Sequence, residues 1–183
     1  MHARQMITPE KTGVAITDFA DLSQAHHELD ALFTEHQVAL IHFEIEKSLQ
    51  LLASFRSAIE EHIRFEEEDL IPLYGEMGGD NIEGGRVDFY LKEHRKILKL
   101  LDVVEEAFSQ SSIRRDGDGA RRILDILEME HSLKALLTHH DQREESFLYP
   151  FLDKVTSRDQ KRTLLSRTDL PIRLRRIAET RGK

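Results

Sequence analysis

Cysteine is absent from all 183 residues, and that gap removes disulfides, thiolate nucleophiles and sulfur-ligated zinc or iron–sulfur sites together. Long apolar runs are missing too. No stretch approaches the roughly 18 apolar residues of a membrane span, and the opening residues MHARQMITPEKTG lack the apolar core of a secretion signal. The expectation is a cytoplasmic protein with no membrane role. Positive charge is scarce outside the last segment: the net charge is −8, and from Arg158 onward nine Lys or Arg stand against three Asp or Glu, so residues 1–157 carry −14 and the tail +6. An acidic body excludes general nucleic-acid binding, because phosphate contacts need clustered cations. Neither proline nor glycine occurs from Asp21 through Ile71.

What remains is helical. Five of the nine glycines fall between Gly75 and Gly85, and a second break, SQSSIRRDGDGA, holds Gly117 and Gly119; both read as loops, since glycine costs a helix about 1 kcal/mol per residue. Between them Leu91, His94, Leu98 and Leu101 follow three- and four-residue steps, and the same period runs from Ile123 to Leu148. The segment from Asp21 to Tyr74 is long for one helix and is divided near Glu46–Ser48. Four helices result, over 22–46, 48–73, 87–110 and 119–150. Short connections favour an all-α, up-down-up-down four-helix bundle, with an arm at 1–21, the bundle at 22–156, and a basic tail at 157–183 packing on it. In that tail Asp169 before Pro171 predicts a helix start, with Leu170, Leu174 and Ile177 as a narrow apolar stripe.

The chemistry lies in a repeat. HIRFEEEDLIP at 62–72 and HDQREESFLYP at 140–150 share the pattern H-x-x-x-E-E-x-x-L-x-P, and EHQVAL at 35–40 matches EHRKIL at 93–98. Each hairpin thus offers one lone histidine, His36 or His94, and one His-x-x-x-Glu, either His62 with Glu66 or His140 with Glu144. Residues four apart share a helix face, and here that face is the apolar stripe continued by Ile59 and Leu70, or by Leu137 and Leu148. An unpaired carboxylate there costs several kcal/mol, so the two must share a proton, a cation or a metal. Nitrogen and oxygen donors without sulfur suit iron, manganese or zinc, and six donors with two bridging carboxylates suit two ions better than one. The remaining histidines read as bystanders: His26 and His27 precede the ligand face, His42 and His131 point elsewhere, and His139 lies about 100° from His140.

These residues resemble the hemerythrin family, in its HHE cation-binding branch, over about residues 22–155. The resemblance implies a four-helix bundle holding two non-haem irons, with His36, His62, His94 and His140 as terminal ligands and Glu66 and Glu144 as bridges. It implies binding of dioxygen, peroxide or nitric oxide, as sensor, scavenger or store, with a peroxide-decomposing or oxidase enzyme and a metal-stabilised interaction module as the alternatives. The pattern departs from oxygen-carrying members at two points. Leu98 stands where they have a second helix-three histidine, a position that Tyr90 or water would fill, and Glu144, with Glu145 as a substitute, stands where they have an aspartate. The basic tail is the candidate surface for a protein partner.

Overall fold

The computed structural model describes residues 17–109 and 113–168, and every regular element among them is helical. α1 (Ser23–Ile41) and α2 (Ile45–Phe65) form the first hairpin, α4 (Val87–Ser109) and α5 (Gly117–Arg143) the second. α2 runs on through a π turn, Glu66–Leu70, into α3 (Ile71–Glu76); α5 does the same through Glu144–Leu148 into α6 (Tyr149–Val155). Four rods therefore run up, down, up and down, with α1 packed on α2 and α5, and α4 packed on α5 and α2. α7 (Arg158–Leu165) follows as a fifth helix.

Two boundaries differ from those expected. The first hairpin turns at His42–Glu44, earlier than Glu46–Ser48. The chain leaves α1 through Phe43, whose φ of 59° is left-handed. The Phe43 N–H donates to the Leu40 carbonyl at 3.0 Å and the Glu44 N–H to the Ala39 carbonyl at 2.9 Å, the paired bonds of a Schellman ending. Glycine or asparagine would have announced that turn. Here the half-buried aromatic ring packs on the core and under the Arg115 guanidinium, 5.4 Å from the ring centroid. The second difference is that the rods run on past 73 and 150, where they were expected to end, to Glu76 and Val155, each through a proline (Pro72, Pro150). Proline clashes with the carbonyl four residues back and donates no hydrogen bond. The extra residue of each π turn changes that register, so each proline starts a new helical segment at its second position.

The apolar core is split in two. One cluster contains Leu29, Phe33, Phe55, Ile59, Ile97, Leu101 and Leu133, the other Phe19, Leu22, Phe65, Leu70, Tyr74, Tyr90, Leu148, Tyr149 and Leu152. Along each rod a histidine stands at the border between them, so a polar layer crosses the bundle.

α7 lies in the tail, where a helix was expected, but starts at Arg158 rather than after Asp169, and its signal is local: Ser157 and Gln160 form a reciprocal capping box. It buries Leu165 and uses its basic side chains within the chain. Lys161 pairs with Asp18 at 2.7 Å and Asp153 at 2.8 Å, and Arg167 pairs with Asp69. The same Asp153 accepts the N–H groups of Phe19 and Ala20 at 2.9 and 3.1 Å, docking the turn that precedes α1. The tail helix expected from Asp169, with its stripe Leu170, Leu174 and Ile177, lies outside the described residues. No helix among the described residues is long and apolar enough to cross a membrane.

Candidate metal centre

Four imidazoles and two carboxylates meet in the polar layer as two overlapping groups. His26, His62, Glu66 and Glu144 form one, and Glu66, His94, His140 and Glu144 the other; in each, one donor atom from every residue lies within 4.8 Å of the rest. All six side chains are buried. The Nε2 atoms of His26 and His62 face each other at 3.2 Å, and those of His94 and His140 at 3.1 Å. The carboxylates span both pairs. Glu66 directs Oε1 to His62 at 3.5 Å and Oε2 to His94 at 3.4 Å. Glu144 directs Oε2 to His26 at 3.1 Å and Oε1 to His140 at 2.9 Å.

The structure thus brings together five of the six residues singled out in the sequence, and not His36. His26 occupies the α1 place instead. Antiparallel geometry accounts for this. His62 stands 19 residues after Phe43 and His26 17 residues before it, whereas His36 is only 7 before it. At a rise of about 1.5 Å per residue, His36 sits roughly 18 Å short of the level of His62. Matching EHQVAL to EHRKIL aligned similar letters at different heights. His36 belongs to a separate buried network, with Nε2 2.8 Å from Glu130 Oε1 and Nδ1 2.8 Å from the Ser48 carbonyl. The Ser48 hydroxyl also reaches Nδ1, at 2.9 Å.

Tyr149 was missed as well. Its hydroxyl donates to Glu66 Oε1 at 2.7 Å and also lies 3.2 Å from Glu144 Oε2 and 3.1 Å from His26 Nε2. In an α-helix a residue five positions after Glu144 points well away from it. In a π turn, positions i and i+5 face one another as i and i+4 do in an α-helix, so the bulge is what turns Tyr149 toward the carboxylates. Tyr90 does not join them. It is fully buried and packs edge-on against Tyr74 with ring centroids 5.9 Å apart. Leu98 is partly buried against the apolar core.

The second glutamate of each repeat has its own task. Glu145 Oε1 accepts from His26 Nδ1 at 3.1 Å, and Glu67 Oε1 accepts from His94 Nδ1 at 2.9 Å. Glu93 does the same for His140 at 3.2 Å and is itself held by Arg143 at 3.0 Å. A carboxylate can only accept, so these contacts place the proton on Nδ1 and turn Nε2 inward as the free donor atom. Burial alone would lower His26, but the Glu144 and Glu145 carboxylates outweigh it and raise its pKa to about 10. The same opposition, won by Glu144 with Glu66 for His94 and with Glu93 for His140, raises each of these to about 10. Glu144 is held well below its ordinary value, its burial outweighed by His140, His26 and His62.

Metal ions fit this donor set. Glu66 Oε2 and Glu144 Oε1 are fully buried and face the Nε2 atoms of His94 at 3.4 Å and His140 at 2.9 Å, so each carboxylate needs a proton or a metal ion shared with those rings. The facing Nε2 atoms likewise need a proton or a metal ion between them. Protons and metal ions compete for these nitrogens, and the raised pKa values fix the sign. Below about pH 10, loading displaces protons from His26, His94 and His140, so apparent metal affinity is expected to climb with pH, by up to about a thousandfold per unit for a full load. Chelator competition at pH 6, 7 and 8 measures this; a flat profile would count against three imidazolium groups in the metal-free layer.

Residues 86–167, covering α4 to α7, match the family model of the hemerythrin HHE cation binding domain. No curated protein and no solved structure matches the chain. The matched segment supplies His94, His140 and Glu144, and the first hairpin supplies the repeated counterparts His26, His62 and Glu66. A buried His–Glu cluster inside such a fold indicates metal binding, and the chain is hemerythrin-like, with its HHE cation-binding signature in residues 86–167.

Proposed function

We propose that the chain is a non-haem di-iron protein that binds dioxygen or a related small oxidant, peroxide or nitric oxide, as a sensor, scavenger or store. The observation that carries this reading is the sharing of Glu66 and Glu144 between two donor groups. His26 and His62 hold one metal in this reading, His94 and His140 the other, and the two carboxylates bridge. The family match and a donor set of nitrogen and oxygen only support iron in this reading; manganese and zinc accept the same atoms. A pair of irons supplies two electrons to a small oxidant. The chain's own part is to fix His94, His140 and His26 through Glu67, Glu93 and Glu145, to exclude bulk water from the buried layer, and to hold a proton on the Tyr149 hydroxyl beside Glu66.

That hydroxyl also favours a second reading, an enzyme that decomposes peroxide, since proton delivery is what O–O cleavage requires. Sustained release of oxygen from added peroxide by the loaded protein distinguishes turnover from simple binding.

The test of the main reading is metal content. Protein produced without chelators is expected to carry close to two irons per chain by elemental analysis. One ion, or zinc alone, would leave a structural site, and a folded protein with none would end the functional claim.

A further inference from the structure

The two flanks of the buried layer differ in what closes them. Beside His94 and His140 the closure is a cation. The Arg143 guanidinium donates to Glu93 at 3.0 Å and to the Gly84 carbonyl, and it lies 4.9 Å from the centroid of the Phe89 ring, which also carries Arg86 at 5.6 Å. Glu93 and Glu67, the carboxylates of that flank, are engaged with His140 and His94. A metal ion approaching from this side meets a charge of its own sign, lodged between ring, carboxylate and backbone.

The His26 flank opens on a groove. It has a volume of about 370 Å³, runs between α1 and α5 over a floor supplied in part by Phe55 and Ile59 of α2, and has His26 and Glu145 in its wall. The seam is pinned on one side of it by Lys134, which reaches Thr34 at 3.0 Å and Asp30 at 3.3 Å, and at the layer by His26 with Glu145 at 3.1 Å. Three carboxylates line it, Asp30, Asp141 and Glu145, against one lysine. Asp30 is paired with Lys134 and Glu145 with His26. Asp141 is half-buried, and its carboxylate makes no hydrogen bond or ion pair among the described residues. It follows His140 in sequence, so it points about 100° away from the metal face of α5 and onto the groove.

Ions bound in a buried layer need a path to it from water. An apolar passage opposes a divalent ion unless protein donors replace part of its hydration. Carboxylate oxygen and then imidazole nitrogen, met in that order along the groove, are donors that first-row divalent ions accept. Acidic clefts also concentrate cations and raise association rates by roughly ten- to a thousandfold. At the inner end the His26 ring stands between the groove and Glu144 Oε2, which lies 3.1 Å from its Nε2. We infer that divalent metal ions load the centre through the α1–α5 groove, where the Asp141 carboxylate captures them before they pass the His26 ring. This rests on the di-metal reading above. Asp141 thus serves loading and is not a ligand of the finished centre, whose donors lie on the other side of that ring.

Cobalt(II) is the probe, mixed with the metal-free full chain and followed by its visible absorption as it enters the nitrogen–oxygen site. Asp141→Asn is expected to reach the metal content of wild type but to load roughly tenfold more slowly, the lower end of what a charged cleft contributes, and the deficit should shrink as salt is added. Thr138→Trp, which fills the groove without changing charge, should slow loading at every salt concentration. Asp102→Asn removes the same charge from the exposed face of α4 and should load as wild type does. Release of metal to a chelator, from protein loaded during expression, retraces the path and should show the same order of rates. Loading and release at the wild-type rate in Asp141→Asn, or equal slowing in Asp102→Asn, would overturn the route and leave the di-metal reading standing. A wild type that takes up no metal removes that reading, and elemental analysis before the kinetics tells the two failures apart.

Discussion

Glu66→Ala is expected to take the metal content from near two ions per chain to below one. A terminal ligand serves one ion, but Glu66 stands in both donor groups, with Oε1 toward His62 and Oε2 toward His94. Its removal opens both sites at once, and it also leaves Tyr149 without its shortest contact, the 2.7 Å bond. Stability should fall with occupancy, because a ligand that binds only the folded state stabilises it by about 4 kcal/mol at a thousandfold excess over its Kd. Elemental analysis with thermal melts of the same preparation measures both. Metal content equal to wild type would remove Glu66 from the centre. Glu145→Ala separates bridging from orienting roles: it should retain both metals with lower affinity, by roughly ten- to a hundredfold, since Glu145 acts only through the Nδ1 of His26.

His36→Ala is expected to do the reverse, destabilising the fold by about 3–5 kcal/mol while leaving the metal content unchanged. Glu130 is fully buried and its Oε1 meets His36 Nε2 at 2.8 Å; Gln37 at 3.0 Å holds the other oxygen. Without the imidazole, a buried carboxylate oxygen loses its partner. Nε2 faces the carboxylate while Nδ1 meets both the carbonyl of Ser48 at 2.8 Å and its hydroxyl at 2.9 Å, so Ser48 holds the ring turned toward Glu130. Replacing His36 and Glu130 together by apolar residues should recover much of the loss, because removing both partners leaves no orphaned charge. Denaturant titration with elemental analysis checks this, and loss of metal in His36→Ala would return that residue to the centre.

Most of the fold was legible because its signals are local. Apolar residues at three- and four-residue steps, the glycine-rich break at 78–85 and the absence of proline before Pro72 define four rods. Gly117 and Gly119, expected in a loop, instead form the first turn of α5, where the Asp116 side chain accepts the Gly119 N–H. The turn after α1 was placed a few residues late because a phenylalanine occupies its left-handed position, and the rods outran their prolines because two π turns absorb them. Neither device leaves a composition signal. α7 did leave one, the capping box at Ser157.

The sequence by itself determined the donor types, their duplication and the face they share: a repeated His-x-x-x-Glu in an apolar stripe fixes, through the helical period alone, that imidazole and carboxylate point inward together. Tertiary structure decided which histidine of α1 joins them, because height along an antiparallel pair depends on where the chain turns, a matter of one residue's backbone angle. It also decided the roles of Glu67, Glu93 and Glu145, which act on neighbouring helices, and the place of Tyr149, which a π turn rotates into the layer. Periodicity reports the face of a single helix; level and partner across helices are properties of the packing.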